Sequence, residues 1–294
     1  MICFGEEKYI TASKELWKLC FPLDTDEFIN FYFSKVYKDE DTLLYFEDDR
    51  LVASMQIIPY PIKLGRSISL AGYISGAMTH PDYRNKGIMA KLLNESFVVM
   101  KQKEYSHTFL IPQESRLVGF YNKFGYSEAF PENQAYIISK DDTLEYINPF
   151  GETIILRDKE VRFCTDIQTL DIADLYISYY RFLNEKENAI LKTKPQLDNI
   201  LYEFFAEGGT LLFNDWGICF ALTNETGKVI VKEFFYYDSE IRQEFLIALR
   251  NNYPNSEIIL MNEPGSPFLR YKGMIKTLDD RQETKNIYMN MMLD

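Results

Sequence analysis

The stretch Thr79-His80-Pro81-Asp82-Tyr83-Arg84-Asn85-Lys86-Gly87-Ile88-Met89 decides how the rest of the chain is read. It is turn punctuation followed at once by periodicity: Met89, Leu92, Leu93, Phe97 and Met100 recur at three and four residues, which predicts an amphipathic helix. The first turn of such a helix carries unsatisfied N–H groups and the positive end of the helix dipole. Gly87 just ahead of it has no Cβ, so a phosphate can approach the main chain, and Arg84 and Lys86 add positive charge. The loop therefore suits a pyrophosphate. Taken alone, R-x-x-G-x-M is a weak pattern, and an ordinary loop before a helix is the alternative; its surroundings carry the weight.

Upstream, residues 67–78 read as a strand in which Gly72 and Gly76 suggest a bulge or the close approach of a ligand. Before that, 42–46 and 51–58 form the arms of a hairpin, Pro59 and Pro61 mark a loop or an edge, and 15–20 and 28–37 read as short helices. Downstream, Thr108-Phe109-Leu110-Ile111 is a short buried strand stopped by Pro112. Leu117, Phe120, Tyr121 and Phe124 then share one stripe of a helix that Gly125 can terminate. The order is strand, loop, helix, strand, helix, the pattern of a mixed sheet covered on both faces.

Residues 140–153 turn polar around Asn148-Pro149-Phe150-Gly151, a plausible linker. The chain beyond 153 reads as a faint repeat of the first half. Thr210-Leu211-Leu212-Phe213 parallels Thr42-Leu43-Leu44-Tyr45, 241–249 takes the central-helix position, and 268–274 parallels 120–126. Between the strand over 229–237 and the helix beginning near Ser239 there is no glycine, so this copy has no pyrophosphate loop. Two domains are expected, 1–145 and 153–294, each of mixed α/β (α+β) character.

Composition narrows the function. The 294 residues, 46% hydrophobic and 26% charged, provide for packed cores in two domains, and 21 Tyr with 22 Phe favour strands over an all-helical layout. A net charge of −12 and the lack of a basic patch beyond Lys101 and Lys103 argue against a nucleic-acid partner and are compatible with cationic amines. Cys3, Cys20, Cys164 and Cys219 form no C-x-x-C pair, and His80 and His107 are the only histidines, so neither a disulfide framework nor a metal site is expected. The N-terminus has no signal-peptide pattern and no segment reaches about 18 apolar residues, which points to the cytoplasm and away from a membrane.

Together, 79–89 and Tyr121-Asn122-Lys123-Phe124-Gly125-Tyr126 resemble the GNAT acetyltransferase superfamily, whose motifs run V-x-P-x-x-R/Q-x-x-G-x-G/A and Y-x-x-x-G-F/Y. The resemblance spans about residues 1–140 and is sharpest over 77–126; Met89 stands where the family usually has Gly or Ala. One competent and one degenerate copy, with the ending Tyr288-Met289-Asn290-Met291-Met292-Leu293-Asp294, resemble the tandem "enhanced intracellular survival" branch without its third, sterol-carrier-like domain.

The resemblance implies two tandem GNAT-like domains with mixed central sheets flanked by helices, and acetyl-CoA as co-substrate with no metal. It assigns the coenzyme to Ala77, Met78, Thr79, Arg84, Asn85, Lys86, Gly87, Ile88, Met89 and Ala90. It makes Tyr121 the general acid for the leaving thiolate, although spacing alone also fits a core tyrosine. Glu114, after the short strand, is the candidate base, with an exposed loop carboxylate as the bland alternative; the branch's terminal carboxylate would correspond to Asp294. The implied reaction is direct attack of a small, cationic primary amine on acetyl-CoA. A catalytically silent coenzyme-binding sensor and a protein or peptide N-acetyltransferase are the other readings, and self-association stays open.

Overall fold

The computed structural model describes residues 1–140, 161–262, 266–279, 285–289 and 291–292. Apart from Lys140, the expected linker lies outside the described residues, as does Asp294. The first half runs β1 (Ile2–Phe4), α1 (Ile10–Cys20), α2 (Asp26–Lys35), β2 (Thr42–Glu47), β3 (Arg50–Leu64), β4 (Ser67–Thr79), α3 (Ile88–Gln102), β5 (His107–Leu110), α4 (Val118–Asn122), β6 (Ser127–Asn133) and β7 (Tyr136–Ile138). The second runs β8 (Arg162–Cys164), α5 (Ile172–Glu185), β9 (Asn188–Ile190), α6 (Lys194–Ala206), β10 (Thr210–Asn214), β11 (Gly217–Thr223), β12 (Val229–Tyr236), α7 (Ser239–Asn252), β13 (Ile258–Leu260) and β14 (Phe268–Thr277).

These strands form two mixed sheets. The first has the order β1-β2-β3-β4-β5-β14-β6, with β9 on the free part of β3, and the second has the order β7-β13-β12-β11-β10-β8. The halves thus exchange strands: β14 inserts between β5 and β6, while β7 pairs with β13. Residues 268–274 are therefore strand, which corrects the expected parallel with the helical 120–126. Gly273 admits β14 to this slot, because a Cβ there would lie 3.0 Å from the Leu110 carbonyl and 2.9 Å from the Phe130 ring.

Strand β3 continues through Pro59 and Pro61, opposite Gly72 and Leu70 of β4. The pairing with β2 has already ended at Gln56, so the missing proline N–H groups face an edge rather than a ladder. The carbonyls on that edge are met by the second half, Pro61 by the Leu191 amide at 2.8 Å and Pro59 by the Gln196 side chain at 2.8 Å. Gly72 is a packing contact, since a Cβ there would collide with Met100 of α3 and Ile57 of β3, and not a ligand approach.

Alternation along the strands sorts residues between the two faces of the first sheet. Leu43, Met55 and Ile74 pack with Ile88, Leu92, Leu93 and Met100 under α3. Leu44, Leu51 and Met78 pack with Trp17, Ile29 and Tyr32 under α1 and α2. The helix α2 begins where the Thr25 hydroxyl accepts from the Phe28 amide, and α3 follows the periodicity read from its sequence. No helix among the described residues is long and apolar enough to cross a membrane.

Candidate active site

The site begins where β4 and β5 part. They pair in parallel at Ala71, Gly72 and Tyr73, opposite His107, Thr108 and Phe109, and not beyond. From Ile74 to Thr79 the β5-facing edge of β4 is left without a strand. Just past this point Gly76 takes φ +54, and the register with β3 slips between Ser54 and Gln56, forming a bulge. The His80 amide donates to Val52 of β3 at 2.8 Å, so alternation turns the Met78 amide toward β3 and the Ala77 and Thr79 amides toward the splay. The Met78 side chain is buried under α1.

The loop after β4 is held by its own side chains. His80 accepts the Asp82 amide at Nδ1 (3.2 Å), and the Arg50 guanidinium lies 2.8 Å from its Nε2. Arg84 Nε donates to the Thr79 carbonyl at 3.1 Å, and Lys86 Nζ stands 4.5 Å from the Tyr83 ring centroid. Asn85 and Gly87 both take left-handed backbone, at φ 63 and 75. Gly87 is the N-cap of α3, offers no side-chain cap, and would present a Cβ to open space; the first turn holds no acidic residue. The opening amides of α3 are thus free to receive an anion.

These features converge on a cleft of 520 Å³. Of the residues assigned from the sequence, Ala77, Thr79, Arg84, Asn85, Gly87, Ile88, Met89, Ala90, Glu114 and Tyr121 line it, whereas Met78 and Lys86 do not. Met89 also packs against the core under α3. Tyr121 forms the far wall, 8% exposed, its ring 5.2 Å from Phe120 and 5.8 Å from Tyr126. Burial pushes its hydroxyl up to about 12, so it stays protonated at neutral pH. Glu114 is half exposed and gripped by Arg116, which donates to it at 3.0 Å and forms a second ion-pair contact. The reading of the sequence passes over Arg116, although its place two residues after Glu114 is a visible signal. Neither histidine lines the cleft; His107 is buried in β5, 2.8 Å from the Ser106 hydroxyl.

On the opposite face a cavity of 900 Å³ lies between the α1–α2 connection and α6. Ile111, just past β5, is part of its lining, and Phe28, Phe31 and Phe204 supply aromatic wall. Asp24, Glu27, Glu203 and Glu207 also line it, with Lys232 and Lys272, and Lys232 lies 4.0 Å from Glu207. Burial, and then the charges of Glu207 and Asp24, raise the Glu203 carboxyl above its ordinary value. The Glu207 contribution is a local one, four residues on at the C-cap of α6, whereas Asp24 comes from the first half and nothing in the pattern around 203 announces it.

The corresponding place in the second half is closed. Its parallel pair β12 and β13 is also bridged by a helix, α7, but the Asp238 carboxylate already accepts the Ile241 amide at 2.9 Å. Among the described residues no group of three or more His, Cys, Asp or Glu could hold a metal ion.

Residues 4–129 match the family model described as an acetyltransferase (GNAT) domain. No curated protein matches the sequence. Among solved structures the chain is similar to a protein of unknown function and probable N-acyltransferase from Enterococcus faecalis V583, with TM-score 0.76 and 12% identity over 95% of this chain and 72% of that one. It is similar to Eis1 from Mycobacterium abscessus, with TM-score 0.71 and 12% identity over 95% and 74%. It is also similar to a tandem GNAT protein from the clavulanic acid biosynthesis pathway, with TM-score 0.51 and 10% identity over 96% and 100%. The first half thus matches a GNAT acetyltransferase domain over residues 4–129, and the chain as a whole shares its fold with these solved structures, a tandem GNAT protein among them.

Proposed function

We propose that this protein moves an acetyl group from acetyl-CoA to the primary amine of a small cationic molecule, using 1–145 as the coenzyme domain and 153–294 as a degenerate copy that walls the acceptor. One observation carries the reading. The strandless edge of β4 and the uncapped first turn of α3 open into the same cleft, with the protonated Tyr121 on its far wall.

When bound, the coenzyme supplies a thioester whose carbonyl is open to a nucleophile and whose thiolate is the leaving group. The Ala77 and Thr79 amides point to where that carbonyl oxygen gains charge, and removing one such donor typically costs about 3–4 kcal/mol of transition-state stabilisation. The amides of Gly87, Ile88 and Met89, with Arg84, hold the pyrophosphate. Across the sheet, Asp24, Glu203 and Glu207 bind the ammonium. Glu203, with its raised affinity for a proton, takes one and leaves the neutral amine. As the N–C bond forms and the C–S bond breaks, Tyr121 gives its proton to sulfur, and the surplus proton on the new amide nitrogen restores the Tyr121 hydroxyl. Glu114, tied to Arg116, belongs to the coenzyme side of this arrangement.

The test is thiol release from acetyl-CoA in the presence of polyamines, aminoglycosides and peptides. The proposal expects release with at least one small cationic amine. Release with peptide acceptors alone would replace it with the protein-acetylating reading.

A further inference from the structure

An acyl group held at the splay and directed away from α3 would approach Gly76, on which Trp17 packs. Ser75 and Gly76 are consecutive, yet both face α1 and α2, because the bulge displaces the alternation at this point. A Cβ on Gly76 would lie 2.7 Å from Trp17 Cζ3 and 3.3 Å from Cη2, so the indole is pressed onto bare backbone at the mouth of the splay. Gly76 is in this respect the counterpart of a hole, and Trp17 fills it.

The indole is held from several sides. Its Nε1 donates to the Asp24 carboxylate at 2.7 Å, and ring centroids of Tyr32, Phe21 and Phe33 lie 4.7, 5.1 and 5.8 Å away. Trp17 is 3% exposed. Behind it the fully buried Tyr32 hydroxyl donates to Gln56 at 2.9 Å and lies 3.0 Å from the Ser75 hydroxyl. This wall is polar where it hydrogen-bonds and close-packed where it meets the splay.

We infer that Trp17, buttressed by Tyr32, sets the acyl length this protein transfers, closing the site beyond about two or three carbons because a close-packed wall does not yield to added methylenes. The inference rests on the proposed position of the thioester at the splay. A longer chain that entered the cavity lined by Asp24 and Phe28 would occupy the place of the acceptor amine. Trp17 thus touches both sides of the site: its six-membered ring lies against Gly76, and its N–H fixes Asp24, which lines the acceptor cavity.

The experiment measures kcat/KM of the full chain, with one amine acceptor, for acetyl-, propionyl-, butyryl-, hexanoyl- and octanoyl-CoA. The expected result is near-equal use of acetyl and propionyl and a fall of about tenfold or more by hexanoyl. Trp17→Ala should raise the hexanoyl-to-acetyl ratio by about tenfold or more, and Trp17→Phe, which keeps a ring in the core, should raise it by less. Wild-type protein that transfers octanoyl as readily as acetyl overturns the inference, as does an unchanged ratio in a folded Trp17→Phe. Calorimetry with acetyl-CoA separates the two levels. Tight binding with a flat chain-length profile removes only the Trp17 wall, whereas no binding removes the coenzyme site and the wall with it.

Discussion

Gly87 and Asp238 are counterparts: each is the N-cap of the helix that crosses between the parallel strands of its half, and only Asp238 closes that helix with a carboxylate. Gly87 sits at φ 75 with open space where a Cβ would go, so Gly87→Val should cost only the left-handed strain of about 1–2 kcal/mol in stability. It should nevertheless abolish acetyl-CoA binding, since the branched side chain stands where phosphate approaches. Asp238→Ala should cost about 1 kcal/mol through the lost cap and leave coenzyme affinity unchanged. Denaturant unfolding and calorimetry on both variants check the pair; unaltered affinity in Gly87→Val would refute the site.

Glu203 carries a charge that folding disfavours. Its carboxyl is raised above the ordinary value by burial and by the charges of Glu207 and Asp24. The folded state therefore prefers the protonated form. This group's contribution to stability is greatest below the ordinary carboxylate range and is lost as pH rises through the raised value. Glu203→Gln should accordingly melt higher than wild type at neutral pH and match it in acid, while raising KM for a cationic amine. A variant that melts lower at neutral pH, or keeps the amine KM, would contradict this role.

Tyr288 ties β12 of the second sheet to β9 of the first. Its hydroxyl donates to the buried Glu233 of β12 at 2.5 Å, while its backbone exchanges 2.9 Å bonds with Asn188 and Ile190 at β9. Since β9 pairs with β3, the second half is fastened to the first sheet at this point. Tyr288→Phe should lower stability by about 1–3 kcal/mol, the cost of a buried carboxylate short of a donor. Urea unfolding should show one transition for both halves. Separate transitions would mean that the exchanged strands do not couple them.

The loop, the helix α3 and the wall tyrosine were legible because each is a local pattern: punctuation before a 3.6-residue period, a glycine needing left-handed backbone, an aromatic stripe closed by Gly125. The slip at 268–274 has the opposite cause. Phe268, Tyr271 and Gly273 imitate a helical motif in composition, and only pairing with β5 and β6, far away in the chain, makes them strand. Trp17 on Gly76 and Glu203 beside Asp24 escaped for the same reason, since no local spacing reports which distant side chains share a cavity. Gly72 and Gly76 look alike in sequence, yet one makes room for Met100 and the other forms the bulge.

The most direct test of acyl transfer through this cleft is a steady-state comparison of wild type and Tyr121→Phe, following thiol release and acetylated amine together. The account predicts equal amounts of both products from wild type. In Tyr121→Phe it predicts a fall in kcat of about a hundredfold or more with acetyl-CoA affinity unchanged. Background release with every amine, indifferent to the Tyr121 substitution, would contradict it.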